Sequence, residues 1–243
     1  MDQFIPEEQP EQQLVISAEE AAQVQASFMQ QVYTWMAVAL ALTGGVSLFV
    51  GASPVVQELV FGTRFVFLGL VLLELVVVGF LSRNAFEWSV GKTTAAFVGY
   101  ALLNGITLGV IFLLYTADSI ASTFFVTAGT FGVMSLYGYF TGTDLSRWGN
   151  LLMMGLIGLI IASVVNIFWL NSMLYTITSY IGVLLFVALT AYDTQKVKSL
   201  AFLGYGEEDT STSQKAAVLG ALTLYLDFIN LFLFILRIFG RRR

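Results

Sequence analysis

The sequence contains no cysteine and no histidine. The first absence excludes disulfides, thiol nucleophiles and thiolate metal sites. The second excludes imidazole bases, haem–histidine ligation and the catalytic triads that depend on imidazole, which argues against an intramembrane serine protease. Charge is scarce as well: 11% of residues are charged, against roughly 25% in an ordinary soluble domain. Carboxylate, amide, hydroxyl and a few basic side chains remain for chemistry. The expectation is a protein that is not an enzyme and carries no cofactor.

What is abundant is apolar surface, with 57% hydrophobic residues among 243 and a mean hydropathy of +0.81. No soluble fold hides that much. A helix needs ~20 uninterrupted apolar residues to cross ~30 Å of hydrocarbon. Such runs occur near Tyr33 to Val50, Phe65 to Leu81, Thr93 to Tyr115, Ser119 to Phe140, Leu151 to Leu170, Met173 to Ala191 and Ala216 to Ile238. The pattern predicts an all-α integral membrane protein with seven transmembrane helices. The fifth and sixth share one uncharged stretch between Arg147 and Asp193, with the turn expected at Trp169, Asn171 and Ser172. Connections are short except Lys196 to Lys215, which holds the acidic cluster Glu207, Glu208 and Asp209. Gly99, Gly105 and Gly109 in the third run read as close helix packing. Tyr33, Trp35, Trp88, Trp148 and Trp169 read as interfacial belt residues. The division is an acidic N-terminal tail, 1–27, flexible or amphipathic, and one transmembrane domain, 28–243.

The formal charge of −5 is uneven. Asp2, Glu7, Glu8, Glu11, Glu19 and Glu20 crowd a segment with no basic residue, so nucleic acid is not an expected partner. A basic region followed by a short apolar core is missing, so the segment does not read as a signal peptide. With the N-terminus cytoplasmic, the inner connections hold Arg83, Lys92, Arg147, Lys196, Lys198 and Lys215 and the outer ones only Arg64, a positive-inside distribution. Arg241, Arg242 and Arg243 oppose it. Either they cross with a full last span, the favoured reading, or that segment is re-entrant.

An ionisable side chain inside a span costs ~3 kcal/mol on insertion scales, so each one is a functional candidate. Glu74 falls in the second run, Asp193 at the inner end of the sixth, and Asp227 eleven residues after Ala216 in the seventh, hence ~16 Å deep at the helical rise of ~1.5 Å. Tyr225 and Asn230 cluster with Asp227, so a helix bearing these residues is best placed centrally. The bland alternatives are a hydrogen-bonded Asp227 acting as structural glue, an ordinary ion pair of Asp193 with Lys196, and Glu74 as neutral packing. Arg83 and Asp193 emerge on the same side, so Arg83 is a candidate latch. Two carboxylates that close on each other cannot both ionise cheaply and form a proton-sensitive unit. Oxygen ligands suit a hard cation such as Ca²⁺, with Asp193 and Asp227 as its candidate ligands. Asp193 looks shallower than Asp227, and the two meet only if the sixth helix runs on toward Lys198 or the seventh starts later than drawn.

Four segments, YTADSIASTFFVTAGTFGVMSLYGYFTGTDLSRWG, LLMMGLIGLIIASVVNIF, ALTAYDTQKVK and LTLYLDFINLFLFILRIFG, together resemble the Bax inhibitor-1 family, also called the transmembrane Bax inhibitor motif family, in its bacterial branch. The resemblance spans roughly Gln30 to Gly240. It implies seven helices with the C-terminal helix central in the bundle. It also implies a pH-sensitive Ca²⁺ leak in the inner (plasma) membrane, in which Asp193 of AYDTQK and Asp227 of YLDFIN act as sensor and gate. Glu74 in LELVVV matches an acidic position of the second helix and, with Tyr225 and Asn230, outlines an ion pathway; Arg83 is the weaker carry-over. Expected partners are membrane lipid and Ca²⁺. The alternative is a membrane regulator whose acidic tail engages other proteins, such as a membrane-anchored AAA protease. A retinal protein lacks support because the only lysine of the last helix, Lys215, lies at its entrance. An ion-coupled transporter lacks the paired broken helices of that class.

Overall fold

In the computed structural model residues 17–206 and 210–243 are described. The expectations for residues 1–16 and for the cluster Glu207, Glu208 and Asp209 lie outside the described residues. The first helix starts where local chemistry starts it. The Ser17 hydroxyl accepts from the Glu20 amide while the Glu20 carboxylate takes the Ser17 amide, a reciprocal box that satisfies two orphan donors. Helix α1 then runs Ala18–Ala52, starting within the segment read as tail. Its 35 residues reach ~50 Å, longer than the hydrocarbon is thick, so the first turns overhang.

Ser53 closes α1 and caps α2 (Pro54–Phe61), a short helix with proline at its first turn that the apolar runs did not reveal. Then come α3 (Arg64–Asn84), α4 (Val90–Leu108, capped by Ser89), the single turn α5 (Ile111–Leu114) and α6 (Ala117–Phe140). A 3₁₀ turn at Leu145–Trp148 leads into α7 (Gly149–Trp169). The expected turn between the fifth and sixth spans is present. Leu170 takes a left-handed conformation with φ 46°, Asn166 accepts the Asn171 amide, and Asn171 caps α8 (Ser172–Ser199). A second 3₁₀ turn, Leu200–Phe202, precedes α9 (Ser211–Phe239). Among the described residues seven helical stretches are long and apolar enough to cross a membrane.

The seven are not equivalent. In α9, 72% of the most apolar window is buried, while the windows of α3 and α7 are 6% buried. Helix α9 packs against α1, α4, α6 and α8, and Leu224, Tyr225 and Leu231 are fully enclosed. The outward faces of α3 and α7 carry exposed Leu72, Leu75, Val76, Ile160, Ile161 and Phe168, the composition of a lipid contact. Lipid tails are as apolar as leucine, so helix association depends on close fit and polar contacts. A Cβ on Gly138 would stand 2.2 Å from the Ala191 carbonyl oxygen, so α6 meets the backbone of α8 there. Gly105 and Gly109 are likewise pressed against Val46 and Val50 of α1, as expected, whereas Gly99 faces open space.

The last span is complete. Beyond Gly240 the chain is hydrogen-bonded to the α5–α6 connection: the Thr116 amide donates to the Arg241 carbonyl and the Arg243 amide to that of Leu114. The three arginines therefore sit at the end of the bundle opposite Lys196 and Lys198, and the re-entrant alternative falls.

Candidate functional site

Asp193 and Asp227 come together. Asp227 projects from the buried α9, 5% exposed, and its carboxyl lies within hydrogen-bonding reach of the half-buried Asp193 on α8. The sequence-level obstacle was depth, and α8 removes it by continuing through Lys198 to Ser199. Gly220 on α9 abuts Val197 on α8, a close approach about one turn from Asp193 and about two turns from Asp227. An ionised carboxylate only accepts hydrogen bonds, and Asp227 Oδ2 is buried with no donor. The pair also contains the ion-pair alternative, since Lys196 acts electrostatically on Asp193.

Thr194, the residue after Asp193, begins a chain of hydroxyls across three helices. Thr194 donates to the Thr190 carbonyl at 2.7 Å and pairs with Ser135 of α6 at 2.9 Å, and Ser135 pairs with Tyr33 of α1 at 2.6 Å. Because the Thr194 proton is committed to Thr190, the chain has one direction: Tyr33 donates to Ser135, and Ser135 to Thr194. Tyr33 is thus half-buried and hydrogen-bonded across helices. Helix α1 starts fifteen positions earlier, at Ala18, so Tyr33 lies about four turns into it.

The remaining candidates separate. Asn230 donates to the Leu226 carbonyl of its own helix at 2.8 Å. Tyr225 lies on another side of α9: its hydroxyl pairs with Thr43 at 2.8 Å, and Thr43 donates to the Ala101 carbonyl. Glu74, on α3, accepts from Thr107 of α4; beyond Thr107 lie Asn104 and Tyr100, and the Tyr100 ring meets Tyr225 edge-on at 6.1 Å. Glu74 and Tyr225 thus belong to one polar chain and the aspartates to another. Arg83 stands exposed in the last turn of α3, and among the described residues it pairs with neither aspartate, so the latch expected of it is not formed. The cation acting on Asp193 is Lys196, three residues along the same helix. The sequence reading missed Thr107, Asn104, Thr43, Ser135 and Thr194, because a serine or threonine in an apolar run usually bonds its own helix and leaves no distinguishing pattern.

Two carboxylates do not make a cage. Ca²⁺ takes 6–8 oxygen ligands, and among the described residues no three acidic, histidine or cysteine side chains cluster. The arrangement fits brief contact with a hard cation better than its storage.

Comparison with known proteins agrees with this architecture. The sequence profile of the family described as "Inhibitor of apoptosis-promoting Bax1" matches residues 25–243. The chain is 53% identical over 223 residues to the inner membrane protein YbhL of Escherichia coli, covering 89% of this chain and 92% of that one. It is 42% identical over 220 residues to an uncharacterized protein of Rickettsia prowazekii, covering 89% and 90%. It is also 39% identical over 220 residues to one of Borreliella burgdorferi, covering 90% and 94%. A match of this length, over seven apolar helices and the segments AYDTQK and YLDFIN, identifies the chain as a membrane protein of the Bax inhibitor-1 family.

Proposed function

We propose that the chain is a pH-sensitive, Ca²⁺-permeable leak of the bacterial inner membrane, with Asp193 and Asp227 as its sensor and gate and its N-terminus on the cytoplasmic side. The observation that carries this reading is the buried Oδ2 of Asp227, without a donor and beside a second carboxyl. A proton held between the two groups supplies the missing bond. Losing that proton leaves two anions facing each other in a medium of low dielectric, where repulsion between α8 and α9 is strong. A cation arriving between them relieves that repulsion, and oxygen ligands favour a hard ion such as Ca²⁺. Proton and cation then compete for one place and bias the bundle between closed and open populations. The orientation is supported by Arg83, Lys92, Arg147, Lys196, Lys198 and Lys215 falling at one end of the helices.

The test is Ca²⁺ flux into dye-loaded proteoliposomes at neutral and mildly acidic pH. Asp227→Asn and Asp193→Asn should each abolish the pH dependence. Unchanged flux with unchanged pH dependence in Asp227→Asn would overturn the proposal.

A further inference from the structure

Four exposed arginines gather at the end of the bundle away from the aspartates. Arg237, in the last turn of α9, lies 5.6 Å from the ring of Tyr175. Arg242 lies 5.9 Å from the same ring and donates to the Tyr175 hydroxyl at 3.4 Å. The phenol of Tyr115 also reaches Arg242. Arg241 and Arg243 complete the group, and they are held rather than loose. The Arg241 amide donates to Ser119 at 2.9 Å, the Thr116 amide to the Arg241 carbonyl at 3.1 Å and the Arg243 amide to the Leu114 carbonyl at 3.1 Å. Gly240 seats against Tyr115, where a Cβ would stand 2.5 Å from the ring.

These bonds engage the backbone of Arg241 and Arg243, and all four arginine side chains remain exposed. Among the described residues none of the four is in an ion pair. Asp118, in the first turn of α6, precedes the Ser119 that holds Arg241. A cluster of fixed like charges beside aromatic rings is relieved by an anion. The surroundings indicate its source: Trp169, Leu170 and Phe239 are 75%, 83% and 70% exposed at the same end, so apolar and aromatic surface of the kind found at a membrane boundary adjoins the arginines. Fixed charge at that depth meets phosphate headgroups before it meets solutes. The planar guanidinium fork matches phosphate oxygens in pairs, which an ammonium does not.

We propose that Arg237 and Arg242, with the phenols of Tyr115 and Tyr175 and the flanking Arg241 and Arg243, form a headgroup site for an anionic glycerophospholipid. Such a site accounts for the strongest departure of this chain from the positive-inside pattern. The arginines reside on that side neutralised by lipid phosphate, and the backbone clasp keeps them there.

The test is native mass spectrometry of the full chain, delipidated in detergent and titrated with phosphatidylglycerol or phosphatidylcholine. The wild type should retain phosphatidylglycerol selectively, and R237Q/R242Q should lose roughly thirtyfold in affinity, the effect of two interfacial charges. R64Q/R147Q, which removes as much charge elsewhere, should bind as the wild type does; an equal loss there would reduce the site to bulk charge and overturn the proposal. Inorganic phosphate in a parallel titration should not displace the lipid, and displacement would identify a free-anion site instead. If R237Q/R242Q does not fold, R237K/R242K keeps the charge and loses the fork, and a several-fold loss is expected. Wild-type affinity in whichever variant folds would overturn the assignment.

Discussion

Asp227 and Glu74 are both acids within apolar helices, yet their helices treat them differently. Helix α9 is enclosed by α1, α4, α6 and α8, so the carboxyl of Asp227 meets only what those helices present, and what they present is a second carboxyl. Helix α3 packs mainly on α4 and turns most of its surface outward, and its Glu74 finds a hydroxyl donor at once in Thr107. One acid is satisfied by protein; the other is left with an orphan oxygen. The contrast teaches that depth along a helix does not make an ionisable residue a switch. On the proposed reading enclosure without a donor does, because the state of a proton or cation there then bears on how the surrounding helices fit together.

The comparison is broken most easily through packing. Leu231→Ala on α9, where the side chain is fully buried, should lower thermal stability in detergent by about 2–5 kcal/mol. Leu72→Ala on α3, where the side chain is 62% exposed, should change it by less than about 0.5 kcal/mol. Equal effects would mean that the two helices are equally enclosed in the working protein. A smaller effect sharpens the polar side of the contrast. Thr107→Val removes the donor to Glu74 and should cost about 1 kcal/mol, read from the midpoint of unfolding, while leaving the pH dependence of flux in place. A shift in that pH dependence would join the two acids into one unit. The smallest effect belongs to a carboxylate outside the bilayer altogether. The hydroxyl and amide of Ser146 hold the Asp144 carboxyl below its ordinary range. A lowered folded-state value means that its contribution is present above the ordinary carboxylate range and lost as pH falls through the folded value. Amide exchange at Ser146 should therefore accelerate only in strong acid, well below neutral pH, and Asp144→Asn should remove that step.

The chain shows how unevenly a sequence discloses a membrane site. The spans were legible because hydrocarbon imposes a length and forbids charge, and each of the seven apolar runs matches a helical stretch, the third broken between α4 and α5. Asp193 and Asp227 were legible because acids are costly inside those runs. Their meeting was legible only as a condition, that the sixth helix run on past Asp193, and α8 continues to Ser199 because a helix may carry lysines and still propagate once it leaves the hydrocarbon. The short helix Pro54–Phe61 escaped because eight residues are too few to register as a span. The early start of α1 escaped because the start of an apolar run is not the start of a helix when a capping box lies upstream.

By itself the sequence determined the solvent of this protein, the number of its crossings and the few residues able to carry charge into them. Those properties follow from composition and run length, which are local. Tertiary structure alone decided that Asp227 faces Asp193 while Tyr225 turns toward Thr43, that Arg83 pairs with neither aspartate, and that the terminal arginines are clasped beside Tyr175. Which side chains meet across helices depends on the rotation and register of each helix about its axis. In a bilayer those are set by close backbone contacts such as Gly138 on Ala191 and Gly220 on Val197, which no run of apolar residues encodes.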